Sequence, residues 1–189
     1  MSVYIVTGKL GNGKTLASVG RITEYLSQDR KVATNLDLFM DHYEKPKLQH
    51  KNILRLPDKP TIADFEAIGR GHESDIYNED NFGLLVLDEC GTWFNSRGWQ
   101  DKSRADVIDW LLHSRKLGWD VLLIVQDISI LDKQARETLA EYTVYCRRMD
   151  RFRIPVVSPL VKALTGYNLT MPRVYVAIVK YGDNATDPT

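Results

Sequence analysis

Residues 7–15 read "TGKLGNGKT", a stretch with three glycines and two lysines in nine residues. Such a composition suits neither a packed core nor a helix interior, because glycine weakens both. The stretch follows the short apolar run "SVYIV" (2–6) and precedes "LASVGRITEYL" (16–26). In the latter, apolar residues recur at helical spacing: Leu16, Val19, Ile22 and Leu26. The sequence therefore predicts a strand, a glycine-rich loop and a helix in direct succession.

The loop from Gly8 to Thr15 matches the pattern G-x-x-x-x-G-K-[ST] of phosphate-binding loops, in the strand–helix setting that this motif requires. Its backbone N–H groups form a concave anion site, and the start of the helix adds a positive end. We expect Lys14 to bind the β- and γ-phosphates of a nucleoside triphosphate, and the Thr15 hydroxyl to hold Mg²⁺. The residues expected to line the nucleotide are Gly8, Lys9, Leu10, Gly11, Asn12, Gly13, Lys14, Thr15 and Leu16.

Two adjacent acids end the apolar run "LLVLDE" (84–89). Asp88 is the candidate for completing the Mg²⁺ shell, and Glu89 is placed to orient and deprotonate an attacking water. A small-molecule kinase needs no such glutamate, because its substrate supplies the nucleophile. Together the two motifs predict a nucleoside triphosphatase that uses Mg²⁺. They do not specify the base of the nucleotide, because the base-contacting residues follow no recognisable pattern.

Strands that are apolar throughout alternate with helices along the chain, which predicts a three-layer α/β fold of the P-loop NTPase class with a mainly parallel sheet. The late strands remain open to antiparallel pairing. Further strands are expected within 31–35, 53–56, 82–89, 119–127, 143–148 and 173–181, and further helices within 61–70, 103–118 and 132–142. The first of these helices starts with Thr61 and Asp64 at capping-box spacing.

The length of 189 residues favours one domain, with a core over 1–150 and a C-terminal strand extension over 151–189. Acidic and basic residues balance at 25 each, so no overall field recruits nucleic acid or anionic lipid. Cys90 and Cys146 form no disulfide framework and are expected to be reduced thiols. The start of the chain lacks the features of a signal peptide, and the longest apolar runs are far below the ~20 residues of a membrane helix.

Several polar residues outside the two motifs fall where a nucleotide site would use them. Gln126 ends the strand "VLLIV", and ligands of open α/β sheets bind beyond the carboxyl ends of strands. It either senses the γ-phosphate, positions water or caps a loop. Lys9 directly follows the first glycine, as in the deviant P-loops of dimeric partition ATPases. Those proteins usually lack a glutamate after the metal-binding aspartate, so we treat Lys9 as a variable loop position.

Arginines near the acids form a second group of candidates. Arg97 and Arg104 follow the acids, in a segment that also contains Trp93, Phe94 and Trp99. Aromatic residues with arginine are typical of interface cores, although local loop packing explains the segment equally well. Counted at 100° per residue from Val107, Arg115 projects with the apolar stripe of the helix over 103–118 and not from its polar face. There it either complements the helix dipole or contacts a phosphate or a neighbouring subunit.

Four ordered blocks of this sequence resemble the zonula occludens toxin family, which includes the gene I assembly proteins of filamentous bacteriophages. The blocks are "SVYIVTGKLGNGKT" (2–15), "VATNLDL" (32–38), "LLVLDECGTWFNSR" (84–97) and "HSRKLGWDVLLIVQD" (113–127). The resemblance covers about residues 1–150. Only the first block is generic to P-loop proteins; the asparagine after the second strand and the last block are more specific.

This resemblance implies an ATP-hydrolysing motor domain for phage assembly and extrusion, on the cytoplasmic side of the bacterial inner membrane. It also implies a membrane span after the present chain, which would then be an N-terminal fragment. The partners it implies are further copies of the protein in an oligomer, phage coat or assembly proteins, an outer-membrane channel and single-stranded DNA. Related motors complete the site with an arginine from the adjacent subunit, for which Arg97 is the first candidate and Arg115 the second.

Three alternatives to a phage-assembly motor remain. The first is a DNA-translocating ATPase that is not tied to phage. The second is a nucleotide-dependent switch or scaffold with little turnover. A small-molecule phosphotransferase fits least well, because we find no lid-like arginine-rich segment and no acceptor site.

Overall fold

Strands and helices alternate along the part of the chain that the computed structural model describes, namely residues 3–42, 53–73, 77–92, 102–131, 136, 139–151 and 173–182. The strands are β1 (Val3–Thr7), β2 (Val32–Thr34), β3 (Leu54–Arg55), β4 (Gly83–Leu87), β5 (Trp119–Ile124), β6 (Tyr142–Arg148) and β7 (Tyr175–Tyr181). The α-helices are α1 (Lys14–Ser27), α2 (Ile62–Ile68) and α3 (Lys102–His113).

The strands form one sheet in the order β3-β2-β4-β5-β1-β6-β7. All neighbouring pairs are parallel except the last, in which β7 runs antiparallel to β6. The mainly parallel sheet is thus confirmed, and of the two late strands only β7 is antiparallel. Because parallel strands end at the same edge, the loops after β1, β2, β4 and β5 all lie along one edge of the sheet. Strand β5 lies between β1 and β4.

Helices cover both faces of this sheet, which confirms the three-layer α/β fold. Alternate residues of each central strand point to opposite faces. One face packs against α2 and α3 through Phe65, Ile68, Val107 and Leu111. The other packs against α1 through Ile22, Tyr25 and Leu26. Both sides of the central strands are therefore buried, as their continuously apolar sequence requires.

Helix α2 begins at the capping box that the sequence predicts. The Asp64 carboxylate accepts hydrogen bonds from the backbone N–H and the hydroxyl of Thr61, both at 2.7 Å. These two bonds lower the pKa of Asp64. The helix ends at Gly69, whose φ is 63°.

Helix α3 is shorter than the predicted helix over 103–118. It ends at His113, after which backbone bonds of the i→i−3 kind replace the helical ladder, among them Gly118 N–H to Arg115 C=O at 3.0 Å. Ser114 is buried and its hydroxyl donates to the Leu111 carbonyl at 2.6 Å. The chain thereby turns directly into β5.

In the predicted helix over 132–142, Arg136 and Leu139 are helical, and most of the segment lies outside the described residues. No helix within the described ranges has the length and apolar character needed to cross a membrane.

Candidate functional site

The glycine-rich loop connects β1 to α1 and ends in a left-handed residue. Gly13 caps α1 with φ 87° and ψ 21°, a conformation that glycine adopts without strain. A backbone hydrogen bond from Asn12 N–H to the Lys9 carbonyl, 3.1 Å long, closes the turn. The first N–H groups of α1 therefore point out of the sheet edge, where they can bind an anion.

The loop packs tightly against the end of β6. A β-carbon on Gly8 would lie 2.5 Å from the carbonyl oxygen of Cys146, so no other residue fits there without displacing β6. The Asn12 side-chain amide donates to the same carbonyl at 3.0 Å. Burial raises the pKa of the Cys146 thiol, and the nearby positive charge of Lys14 opposes that rise. Strand β6 thus determines the shape of the loop.

The ammonium of Lys14 extends across the loop and donates to the Gly8 carbonyl at 2.7 Å. That contact is with a neutral acceptor, so it does not neutralise the lysine charge. Thr15 is exposed in the first turn of α1. The loop therefore presents a positive charge, a hydroxyl group and helix N–H groups at one place.

The two acids lie at the turn after β4. Asp88 is half-buried, and Glu89 is exposed with φ 56°, which is an unusual conformation for a glutamate. The Asp88 carboxylate accepts the Glu89 backbone N–H at 2.7 Å. Left-handed non-glycine residues cluster at functional sites, where the surrounding structure maintains the strained backbone.

Asn35, directly after β2, holds this turn through its side chain. Its Oδ1 accepts the Asp88 backbone N–H at 2.7 Å, and its Nδ2 donates to the Asp88 carbonyl at 3.1 Å. The same Nδ2 donates to the Asp58 carbonyl at 3.3 Å. Asn35 is only 9% exposed. No chemical role for Asn35 follows from the motifs, although an asparagine directly after a buried strand is a usable signal.

Gln126 follows β5, at the same edge as the loop and the acids, and its side chain is exposed. Because β5 lies between β1 and β4, Gln126 is between the phosphate-binding loop and the acidic turn in the order of the strands. Lys9 and Leu10 are exposed at the tip of the loop. The structure therefore brings the loop, the acids and Gln126 to one edge.

Arg115 lies at the opposite edge, where the parallel strands begin. Its guanidinium donates to the Tyr77 hydroxyl and to the Glu79 carboxylate, each at 3.1 Å. Its side chain is 59% exposed, so the expectation that it projects with the apolar stripe of its helix is wrong. The reason is the early end of α3, which places Arg115 in the turn before β5.

Arg97 and the aromatic residues Trp93, Phe94 and Trp99 lie outside the described residues. Arg104 belongs to α3, but the description does not extend to its side chain.

The donors at this edge fit a magnesium ion. The candidate ligands, the Thr15 hydroxyl and the Asp88 carboxylate, are hard oxygen donors, and Mg²⁺ takes one or two carboxylates together with phosphate oxygens and waters. In the order of the sheet, β1 and β4 are two strands apart, or about 10 Å. Thr15 lies in the first turn of α1, which follows the loop after β1, and Asp88 directly follows β4, so both donors lie at this edge of the sheet.

The amino-acid sequence is similar to a known protein family and to individual proteins of phages. The profile described as "Zonular occludens toxin (Zot)" matches residues 2–186. The chain is 58% identical over 186 residues to the Gene 1 protein of Enterobacteria phage I2-2, a match that covers 97% of this chain and 50% of that protein. It is 54% identical over 191 residues to the Gene 1 protein of Enterobacteria phage M13, covering 100% of this chain and 54% of that protein. The chain thus spans about half the length of these curated relatives.

A solved structure has the same fold at much lower sequence identity. It is the genome packaging NTPase B204 of Sulfolobus turreted icosahedral virus 2, determined in complex with AMP. The TM-score is 0.53 with 12% identity, and the match covers 96% of each chain. At this identity the likeness concerns the fold alone, which is that of a P-loop NTPase.

Proposed function

The chain belongs to the zonular occludens toxin (Zot) family, and from that membership we propose that it is the ATP-hydrolysing motor domain of a filamentous-phage assembly and extrusion protein. One observation gives this proposal its chemical basis. Glu89 is held in a strained left-handed conformation beside Asp88, at the same sheet edge as the phosphate-binding loop. A domain that only binds nucleotide has no need of a second acid in this position.

The phosphate-binding loop would bind the triphosphate of ATP. The helix N–H groups and the Lys14 ammonium would contact the β- and γ-phosphates, and the Lys14–Gly8 hydrogen bond would be exchanged for bonds to phosphate. Thr15 and Asp88 would hold Mg²⁺, which neutralises part of the phosphate charge. The other named loop residues, from Gly8 to Leu16, would line the bound nucleotide.

Glu89 would act as the general base for hydrolysis. Its carboxylate would accept a proton from a water molecule as the water oxygen bonds to the γ-phosphorus and the bond to the bridging oxygen breaks. Asn35 fixes the backbone of the preceding residue, and thus the position from which this carboxylate extends. Gln126, next to the loop in the strand order, would orient the water or contact the γ-phosphate.

A neighbouring subunit would complete the site with an arginine. Such a residue contributes roughly 10³–10⁵ in rate in other nucleotide hydrolases. Arg97 is the first candidate, because it follows the acids in an aromatic segment. Arg115 is the second, and its place at the opposite sheet edge restricts it to the site of another subunit. Mixing Arg97→Ala with Glu89→Gln tests the first candidate, since recovered hydrolysis in mixed oligomers requires an arginine that acts across subunits.

The assembly role rests on the similarity to Gene 1 proteins of phages. We propose that the domain lies on the cytoplasmic side of the inner membrane and is continued by a membrane span. We propose phage coat or assembly proteins, an outer-membrane channel and single-stranded DNA as its partners. The fold likeness to a genome packaging NTPase keeps a DNA-translocating ATPase as the second candidate, which predicts that DNA stimulates hydrolysis.

Two variants test the proposed chemistry. Lys14→Ala should abolish ATP hydrolysis and greatly weaken ATP binding, because it removes the charge that contacts the phosphates. Glu89→Gln should retain Mg²⁺-dependent ATP binding while turnover falls by ~10²-fold or more, the usual contribution of a general base. Calorimetry and phosphate release measure the two effects. Normal turnover in Glu89→Gln would contradict the mechanism and favour a nucleotide-dependent switch.

A further inference from the structure

A pocket adjoins the phosphate-binding loop on the side away from the acids. It has a volume of about 140 Å³. Its walls come from the end of the loop, the first turn of α1, the end of β6 and the start of β7. The lining residues are Asn12, Gly13, Leu16, Ala17, Cys146, Tyr175, Val176 and Ala177. None of these residues has a charged side chain.

The strand order determines which end of a bound nucleotide would face this pocket. Along the sheet edge the order is β4 with Asp88 and Glu89, then β5, then β1 with the loop, then β6 and β7. Lys14 and the acids specify where the β- and γ-phosphates lie. The nucleoside end must extend away from the acids to leave room for the attacking water. It therefore extends towards β6 and β7, where the pocket opens.

The pocket walls have the chemistry that a planar aromatic ring requires. The ring of Tyr175 lies against the loop, so closely that a β-carbon on Gly13 would be 2.5 Å from its Cδ1. Leu16 is 59% exposed and Tyr175 is 41% exposed, although both are large apolar side chains. Aromatic and aliphatic walls bind a nucleobase by stacking and apolar contact. A phosphate group would gain nothing from them.

Tyr175 is held in this position by the strand pair to which it belongs. In the antiparallel register of β6 and β7, Tyr175 lies opposite Arg148. The Arg148 guanidinium forms two hydrogen bonds with the Asp150 carboxylate, at 2.6 and 2.7 Å. The Asp150 carboxylate, and to a smaller extent the Tyr175 side chain, raise the pKa of Arg148. The pocket wall is thus preformed, which lowers the cost of binding a ligand.

We propose that this pocket binds the nucleobase of the nucleoside triphosphate, with Tyr175 and Leu16 as its principal apolar contacts. The inference rests on the proposed function, because it takes the phosphates to be bound at Lys14. It adds that β7 takes part in substrate binding. The C-terminal strand would then be a component of the nucleotide site and not merely an extension of the sheet.

Paired ligands separate base binding from phosphate binding. Calorimetric titrations in the presence of Mg²⁺ compare ATP with inorganic tripolyphosphate, which lacks the base and the ribose. In Tyr175→Ala we expect the Kd for ATP to rise about tenfold or more, the usual effect of removing a stacked aromatic side chain. The Kd for tripolyphosphate should stay within about twofold, because the loop contacts remain.

Two variants serve as controls for the loss of a tyrosine. Tyr175→Phe retains the ring and should bind ATP with nearly unchanged affinity. Tyr181→Ala removes a tyrosine that is 75% exposed at the far end of the same strand, and it should change neither Kd. Tyr175→Trp provides a second readout, since ATP should alter the fluorescence of the added tryptophan, relative to the parent chain, and tripolyphosphate should not.

The outcomes distinguish this inference from the proposed function. Unchanged ATP affinity in Tyr175→Ala, or no ATP-dependent signal from Tyr175→Trp, would overturn the base pocket and leave the phosphate site intact. An equal loss of ATP and tripolyphosphate binding in Tyr175→Ala would also overturn it, because it would mean that Tyr175 acts through the shape of the loop. If the parent chain binds neither ligand, the proposed function fails and the pocket assignment fails with it.

Discussion

At the edge where the parallel strands end, Lys14 and Asp88 contact backbone groups of tight turns, whereas at the edge where they begin, Arg30 and Arg115 contact acidic side chains. Contacts with neutral backbone groups fix a charged side chain without cancelling its charge. Contacts with an opposite charge neutralise the charge of the side chain within the protein. The partner of a charged residue, and not its type, therefore indicates whether it is available to a ligand.

At the edge where the parallel strands begin, Arg30, Tyr25 and Asp120 form a cluster in which the charges are paired within the chain. The Arg30 guanidinium donates to the Asp120 carboxylate at 3.3 Å and lies 3.7 Å from the centre of the Tyr25 ring. The Tyr25 hydroxyl donates to the same carboxylate at 2.6 Å. Asp120 is 9% exposed. A buried carboxylate of this kind needs such partners, because charge burial without them is costly.

The largest effect is expected from breaking this cluster with Arg30→Ala. Removing the cation beside a buried carboxylate should lower the free energy of unfolding by about 3 kcal/mol, while ATP affinity and turnover of the folded protein stay unchanged. Urea denaturation measures the first and calorimetry the second. Arg21→Ala is the matched control, because its bond to Glu24 is on the surface and should contribute less than ~1 kcal/mol. Weaker ATP binding in Arg30→Ala would contradict the division between the two edges.

A slightly smaller effect, on turnover and not on stability, is expected from Asn35→Ala at the edge where the parallel strands end. Without the side-chain bonds to Asp88, Glu89 loses its fixed position, and turnover should fall by about 10²-fold, the scale of a misplaced catalytic group. The Kd for ATP should change little, since the loop is intact.

Asn78→Ala is the matched control for Asn35→Ala. The Asn78 side chain also accepts a backbone N–H, that of Asp80 at 3.0 Å, but it does so in the loop before β4. Its removal should cost about 1 kcal/mol of stability and leave turnover unchanged. Equal turnover in Asn35→Ala and the parent chain would exclude Asn35 as a positioning residue.

The pH dependence of the free energy of unfolding should show that Tyr25, Arg30 and Asp120 form a stabilising cluster. Burial, followed by the hydrogen bond to Asp120 and its charge, raises the pKa of Tyr25 to about 12. Because this pKa exceeds the unfolded value of about 10, the stabilising contribution is complete below pH 10 and is lost as the pH rises towards 12. Between pH 9 and 11 the parent chain should lose about 1 kcal/mol more than Tyr25→Phe. Parallel profiles in urea denaturation would contradict this assignment.

The smallest effect is expected from Arg115→Ala. Its contacts with Tyr77 and Glu79 are exposed, so their loss should change the free energy of unfolding very little and leave hydrolysis unchanged at all protein concentrations. A concentration-dependent loss of hydrolysis at unchanged stability would instead assign Arg115 to the site of a neighbouring subunit.

The sequence predicted those parts of the site whose functional residues are consecutive in the chain. The phosphate-binding loop and the acids each occupy a few consecutive residues, and their neighbours specify a strand before each of them. Local backbone preferences and the apolar runs are sufficient to place them at strand ends. Asn35 was not assigned a role because its partner is 53 residues away.

The predicted orientation of the Arg115 side chain was wrong because the helix ends earlier than its local sequence indicates. A helical pattern over 103–118 indicates where apolar residues face, but not where the helix stops. Ser114 is buried and β5 begins soon after it, and the helix ends at His113. Arg115 therefore lies beyond the helix, and its side chain is exposed instead of facing the apolar side. Helix ends depend on the elements that follow them.

The α/β class follows from the sequence alone, and so does the prediction of a phosphate-binding loop and of two adjacent acids after a strand, because these depend on the order and spacing of neighbouring residues. Three features were visible only in the folded chain: β5 separates β1 from β4, Asn35 holds the acidic turn, and Tyr175 lies against Gly13. The physical reason is that strand order and side-chain contacts across the sheet depend on how distant segments pack. That packing minimises exposed apolar surface over the whole chain, which no local pattern specifies.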